Sequence, residues 1–409
     1  MKFILYILIF ILFIPKINLI DIHASSGLRI DDLFLLIILV LILTTIFLNR
    51  NYLNFVFKFK PYFIVLFIML LSLYSMLLNE QLTFTNFLYS VRILEYSIFI
   101  ILGYYLFKYR FNLTQIFIVY CCVSVFIIFL QYFGIIGGFE LGRYTAYTSS
   151  RPIGLTAGPW EVSLLLVFGL VLLQHFNRKK IYIVIGTLFF IIAIALTGSR
   201  VGLLSALVVL MLIHKAKFLI YGSFLIPVLI AVLILLPNIS VIERSANLFN
   251  TGNLQMVSTI YENIDLNNKF SEQYANVDMA SELHDVSWLI RTNKWMYIIK
   301  NNTSSIQTIM FGFSPGYYGS AVDGSYLRIF GELGIVGLFL YTILFMHMMI
   351  NNTMKLILVA IFVNMIFIDV IYAYKIMSVL FLLYGYYMAE RLLKGKEKYA
   401  SNINDNSNL

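Results

Sequence analysis

The feature that most constrains this chain is a series of uninterrupted apolar runs, each about 15–20 residues long, separated by polar turns. Within a run the residues do not alternate in polarity, which excludes the strands of a lipid-facing β-barrel. Runs of that length match the helix needed to cross a hydrocarbon core ~30 Å thick. In lipid, a helix satisfies its backbone groups within one segment. Apolar residues make up 61% of the chain and charged residues 12%, whereas soluble domains hold roughly 45–50% and ~25%. That excess apolar surface needs lipid as its solvent. The sequence therefore predicts an all-α, polytopic integral membrane protein. About twelve spans are expected, at 3–20, 32–48, 61–78, 93–107, 114–133, 159–176, 181–197, 201–213, 218–236, 334–350, 355–373 and 376–390.

Basic residues set the expected orientation. With the N-terminus inside, the inner gaps and both termini hold 16 Lys or Arg, including Arg50, Lys108, Lys180, Lys355 and Arg391, while the short outer gaps hold 7. That bias predicts cytoplasmic N- and C-termini. A net charge of +9 is accounted for by these turns, so no nucleic-acid partner is expected. Residues 1–14 also fit a signal peptide with cleavage near Ala24; a retained first span fits residues up to Ile20 better. Cys121 and Cys122 are adjacent in an apolar run and read as packing residues.

The layout divides into residues 1–237, carrying spans one to nine with a short outer segment near 134–158; a large outer loop, 238–333; spans ten to twelve, 334–390; and a cytoplasmic tail, 391–409, whose end is polar and expected to be disordered. The inner loops are short, so chemistry is expected on the outer face.

That face carries 13 basic residues, and 8 are arginine. Arginine against the topology bias points to forked recognition of an anion such as phosphate; the alternative is pairing with Glu80, Glu95, Glu140 or Glu161, or snorkelling to headgroups. Arg200 stands in a minimal turn, Thr197-Gly198-Ser199-Arg200-Val201-Gly202, where an unpaired guanidinium next to hydrocarbon is costly. Trp288, Arg291 and Trp295 are spaced to share one helix face. Such a face can stack on sugars beside an anion, or simply lie at the membrane interface. Arg151 opens the turn Arg151-Pro152-Ile153-Gly154, followed by Gly158-Pro159-Trp160-Glu161. Glu161 there also suits the start of a helix dipole. Asp323, in Val322-Asp323-Gly324-Ser325, is either a helix cap or a general base. Arg328 follows it, and then Gly331-Glu332-Leu333-Gly334-Ile335-Val336-Gly337 spaces glycines by three. Asp369 is the one acid well inside an expected span and away from its ends, with Lys375 as its nearest basic neighbour. There is no Asp-x-Asp and no Gly-rich phosphate loop, and the five histidines lack metal spacing. These absences argue against a metal-dependent nucleotide-sugar enzyme, and neither a metal nor a cofactor is expected.

Taken in order, the Arg151–Glu161 segment, the Ser199-Arg200-Val201-Gly202 turn and the Asp323–Gly337 return to the membrane resemble the O-antigen polymerase and O-antigen ligase superfamily of bacterial membrane glycosyltransferases. The resemblance spans nearly the whole chain. It implies a glycosyltransferase C-like membrane fold in the bacterial inner membrane, and metal-independent inverting transfer between polyprenyl-diphosphate-linked oligosaccharides. A chain-length regulator in the same membrane is a further partner it implies. On this resemblance Arg200 and Arg291 contact the diphosphate, Asp323 is the base, and Arg151, Trp160, Glu161, Trp288, Trp295 and Arg328 contact substrate. Ligases commonly carry a histidine where this chain has Asp323, which favours polymerase over ligase. A lipid-linked oligosaccharide flippase is the non-enzyme alternative, but it needs no large outer loop.

Overall fold

A computed structural model of the chain describes residues 60–137, 151–175, 180–214, 251–266, 286–319 and 322–406, with residues 6, 9, 13, 14, 18–23 and 26–29 nearer the N-terminus. The expected spans 32–48 and 218–236, and most of 3–20, lie outside these residues. Strands β1 (Asn18–His23) and β2 (Ser26–Arg29) pair as an antiparallel hairpin, so extended backbone replaces helix at the end of the expected first span.

The rest is helical. In chain order the elements are α1 (Lys60–Leu78), α2 (Phe84–Lys108), α3 (Leu113–Tyr132), α4 (Pro159–Gln174), α5 (Lys180–Leu196), α6 (Arg200–His214), α7 (Thr251–Asn263), α8 (Val286–Asn302), α9 (Ile306–Phe311), α10 (Ser325–Met348), α11 (Asn352–Met365) and α12 (Tyr374–Asn406). Five described segments, α1, α2, α3, α10 and Tyr374–Leu393 of α12, are long and apolar enough to cross a membrane. Helices α4, α5, α6 and α11 are apolar but shorter, with 14–17 residues each. At 1.5 Å per residue these reach only roughly 21–26 Å.

Local chemistry sets the helix starts. Thr83 accepts the Asn86 amide, Asn112 accepts Gln115 and Asn351 accepts Met354, each satisfying an orphan N–H of the first turn. Pro159 occupies the first turn of α4, where its missing N–H costs nothing. The Thr83 cap starts α2 nine residues before the expected boundary at 93, so Arg92 stands within a helix and not in a turn. At the C-terminus, α12 continues to Asn406, into the polar end, 399–409, that the sequence predicts to be disordered; Lys, Glu, Leu and Ala between 391 and 400 are good helix formers that lead the helix up to it.

The core is a bundle in which α4 is buried on all sides from Glu161 to Leu173. Its most extensive helix pair is α2 with α12. The two backbones meet at Gly103 and Gly385, where a Cβ would collide with the carbonyls of Leu382 and Ile100 respectively. Helix α10 breaks at Gly334, which takes φ 68°. The break admits α9, whose Met310 carbonyl lies where a Cβ on Gly334 would stand, and Gly312 (φ 66°) makes the reciprocal approach to Glu332 and Leu333.

Interhelix hydrogen bonds gather the connections expected on the outer face at one end of the bundle. Asn79 Nδ2 donates to the Gly312 carbonyl at 3.0 Å. Gln131 Oε1 accepts the amides of Ile153 and Gly154 at 3.0 and 2.8 Å. Ser325 Oγ donates to the Ile368 carbonyl at 2.8 Å. Lys60, Lys108, Lys180 and Lys355 fall at the opposite helix ends.

Candidate functional site

Two polar clusters occupy the end of the bundle where these connections meet. The first is built by α8, the loop before α10, and the break between α11 and α12. Arg328, in the first turns of α10, is fully buried. Its Nε meets Glu332 Oε1 at 3.1 Å and its Nη1 meets Asp369 Oδ2 at 2.9 Å. Nη2 donates to the Gly319 carbonyl at 2.6 Å, and the guanidinium lies 4.2 Å from the Tyr372 ring centroid and 5.6 Å from that of Tyr89. Glu332 in turn accepts the Gly316 amide at 2.9 Å and the Tyr372 hydroxyl at 2.7 Å. Arg328 is thus committed to protein partners in a desolvated network. The expected substrate contact at Arg328 is corrected: its donors turn inward, to charges that would otherwise be stranded.

Asp369 also departs from expectation. Helix α11 ends at Met365, and Asp369 precedes a short 3-10 turn, Val370–Tyr372. It is therefore at a helix break, not inside a continuous span. Its partner is Arg328, not Lys375. Its Oδ2 accepts the amides of Val322 and Asp323 at 2.7 and 3.2 Å, and its Oδ1 accepts that of Gly324 at 3.2 Å. Lys375 instead donates to the carbonyls of Ile14 and Leu155.

Asp323 is one of three described non-glycine residues with positive φ, at 60°. Gly324, not Asp323, occupies the N-cap of α10. The Asp323 carboxylate faces Arg291 of α8, with Nε to Oδ2 at 3.4 Å, and the two side chains are 28% and 36% exposed. Trp295, one turn along α8, donates its indole N–H to the Asp323 carbonyl at 3.0 Å. Lys294 lies on the same helix near Asp323 and Asp369. Burial pushes its amine below the usual lysine range, against the opposing pull of those two carboxylates. Arg291, Lys294, Trp295 and Asp323 thus form a partly open rim above the closed Arg328 network. Trp288 falls on α8 at the expected spacing, but its side chain lies outside the described residues.

The second cluster joins the Arg151–Glu161 loop to the turn before α6. Arg151 donates from Nε to the Thr197 carbonyl at 3.1 Å and from Nη2 to the Gly198 carbonyl at 2.9 Å. Two of its donors therefore cap the C-terminus of α5, as cations do favourably. Arg200 begins α6 directly after that turn. Ser199 Oγ accepts from Ser163 Oγ at 3.0 Å, and Gly202 packs so closely that a Cβ would overlap the Ser163 side chain. Glu161 is buried in the first turn of α4, and its Oε2 accepts the Ala157 amide at 3.0 Å, consistent with the helix-start role. Trp160 is half-buried against the core.

The two clusters adjoin. Tyr372 contacts Glu332 of the first, and Lys375, three residues later, contacts Leu155 of the second. The Arg92 guanidinium lies 5.7 Å from the centroid of Tyr89, the ring that also faces Arg328. The structure brings Arg291, Trp295, Asp323 and Arg328 together, and separately Arg151, Trp160, Glu161 and Arg200. Sequence reasoning overlooked Glu332, Tyr89, Tyr372 and Gln131. The Arg328–Glu332 pair had a visible signal, its i, i+4 spacing; the tyrosines and Gln131 had none. Among the described residues, no three of His, Cys, Asp and Glu group so as to hold a metal ion.

Models of known protein families give no match to the chain, and no curated protein sequence matches it significantly.

Proposed function

We propose that this protein is an integral membrane glycosyltransferase that joins polyprenyl-diphosphate-linked oligosaccharide units on the outer face of a bacterial inner membrane, with both termini cytoplasmic. The observation that carries the proposal is the partly exposed Arg291–Asp323 pair, flanked by Lys294 and Trp295 where α8 meets the start of the α10 span. A cationic rim at that level suits a ligand whose phosphates lie at the surface and whose tail lies in lipid.

In this reading an acceptor sugar hydroxyl attacks the anomeric carbon of the donor chain, and Asp323 takes the hydroxyl proton. The bond from that carbon to the phosphate oxygen breaks, and the electron pair leaves with polyprenyl diphosphate. Arg291 and Arg200 stabilise the departing charge, with Lys294 adding to it. Trp295 offers an apolar face to sugar rings, and Arg151 holds the Arg200 turn in place. A chain-length regulator in the same membrane is the expected protein partner.

The test is a deletion strain complemented with wild-type, Arg200→Ala or Arg291→Ala protein, its surface polysaccharide resolved on a gel. Polymerase activity gives a ladder with wild-type protein. Deletion or either variant collapses the ladder to a single repeat unit, with the protein still inserted and abundant. Loss of even the single unit refutes polymerisation; long polymer retained on the lipid carrier then identifies a ligase, and its absence a flippase.

A further inference from the structure

We infer that Asp369 is a positioning residue: it reaches from the break between α11 and α12 to hold the Val322–Gly324 loop in the one conformation that sets Asp323 against Arg291. The inference rests on the reading above and extends it to a residue with no place in the reaction itself.

Three successive amides, those of Val322, Asp323 and Gly324, converge on the two oxygens of one carboxylate. A backbone that aims three consecutive N–H groups at one point is an anion-binding turn, here filled by a side chain 45–47 residues away in sequence. The middle residue, Asp323, takes φ 60°, a left-handed region that is strained for a residue other than glycine. Such a conformation persists only where its surroundings over-determine it, and the Asp369 carboxylate does so. The same carboxylate accepts from Arg328 Nη1, so both its oxygens are occupied and it does not serve as the proton acceptor. Ser325 fixes the distance between the two elements: its hydroxyl donates to the Ile368 carbonyl and accepts the Val370 amide at 2.7 Å. Asp323 is left as the one carboxylate of the group on the open rim.

The experiment uses the full-length protein in lipid nanodiscs, with Asp369→Asn, Asp369→Glu and, as a control, Glu332→Gln. Asn keeps an acceptor but loses the charge; Glu keeps the charge but displaces the oxygens, so it carries the test if the Asn variant does not accumulate. Hydrogen exchange is measured on peptides covering residues 319–327, and kcat and KM on transfer of a lipid-linked unit. Both Asp369 variants are expected to exchange about tenfold faster at 322–324, the factor produced by losing about 1.4 kcal/mol of hydrogen bonding. They are also expected to lose kcat with KM retained, because the diphosphate contacts lie on other elements. Glu332→Gln, which touches Arg328 but none of the three amides, leaves that exchange at the wild-type rate. Unchanged exchange in a folded Asp369 variant overturns the inference, as does faster exchange with kcat intact. A wild-type protein that transfers no sugar, while its Asp369 variants still exchange faster, overturns the proposed function and leaves the holding role of Asp369 standing.

Discussion

Arg328→Met tests the buried network directly. Arg328 is 0% exposed, and its two partner carboxylates, Glu332 and Asp369, are 1% and 11% exposed. Removing one member of a buried ion pair costs about 3–5 kcal/mol, because the survivor keeps its charge without compensation. Here each survivor retains donors: Asp369 keeps three backbone amides, and Glu332 keeps the Tyr372 hydroxyl and the Gly316 amide. The expected loss is therefore at the low end, ~3 kcal/mol, or roughly a hundredfold in the unfolding equilibrium. Adding Glu332→Gln replaces one stranded charge by a neutral amide of similar shape. The double variant should then recover ~1–2 kcal/mol over Arg328→Met alone. Equilibrium unfolding of the purified protein in mixed micelles measures both steps. Wild-type stability in Arg328→Met, or a further loss on adding Glu332→Gln, would refute the view that Arg328 neutralises these two acids.

Two further outcomes are expected. Gly334→Ala forces a Cβ onto a residue with positive φ and into the Met310 backbone, so it should cost at least ~1–3 kcal/mol and lower the thermal midpoint in detergent, while Gly137→Ala, with nothing near its Cβ, should not. Ser304→Cys, on the exposed surface between α8 and α9, should react with a membrane-impermeant thiol reagent in intact spheroplasts; resistance there would reverse the proposed orientation.

The membrane class and most helices were legible because hydrophobic run length is a one-dimensional property. Nine of the expected spans overlie described apolar helices. Boundaries were less legible where a polar residue starts or stops a helix. The Thr83 cap moved Arg92 into α2, and the break after Met365 moved Asp369 out of a span. The candidate site was legible in part. Arg291, Trp295 and Asp323 converge because α8 spacing and the Gly324 turn are local features. Arg328 differed from Arg291 in sequence only by the Glu332 four residues on; what separates them in the structure is burial, to which Asp369, 41 residues away, contributes. Arginine count at an expected face marks where anions are held, but not whether the anion is a ligand or another side chain.

The crossing of α2 and α12 has a consequence for how the molecule is made. The glycine seam that joins them is shared by a helix near the front of the chain and one translated after all the other described helices. Until α12 has been made, Gly103 and the Ile100 carbonyl of α2 lack the partner that approaches them here, since contact that close needs Gly385. Lys375 stands in the first turn of that last helix and Tyr372 in the 3-10 turn just before it, so the Glu332 contact of the first cluster and the tie to the Leu155 loop come from one short stretch of chain. These contacts draw on the last of the described helices and the turn before it, so neither can form before that part of the chain has been made.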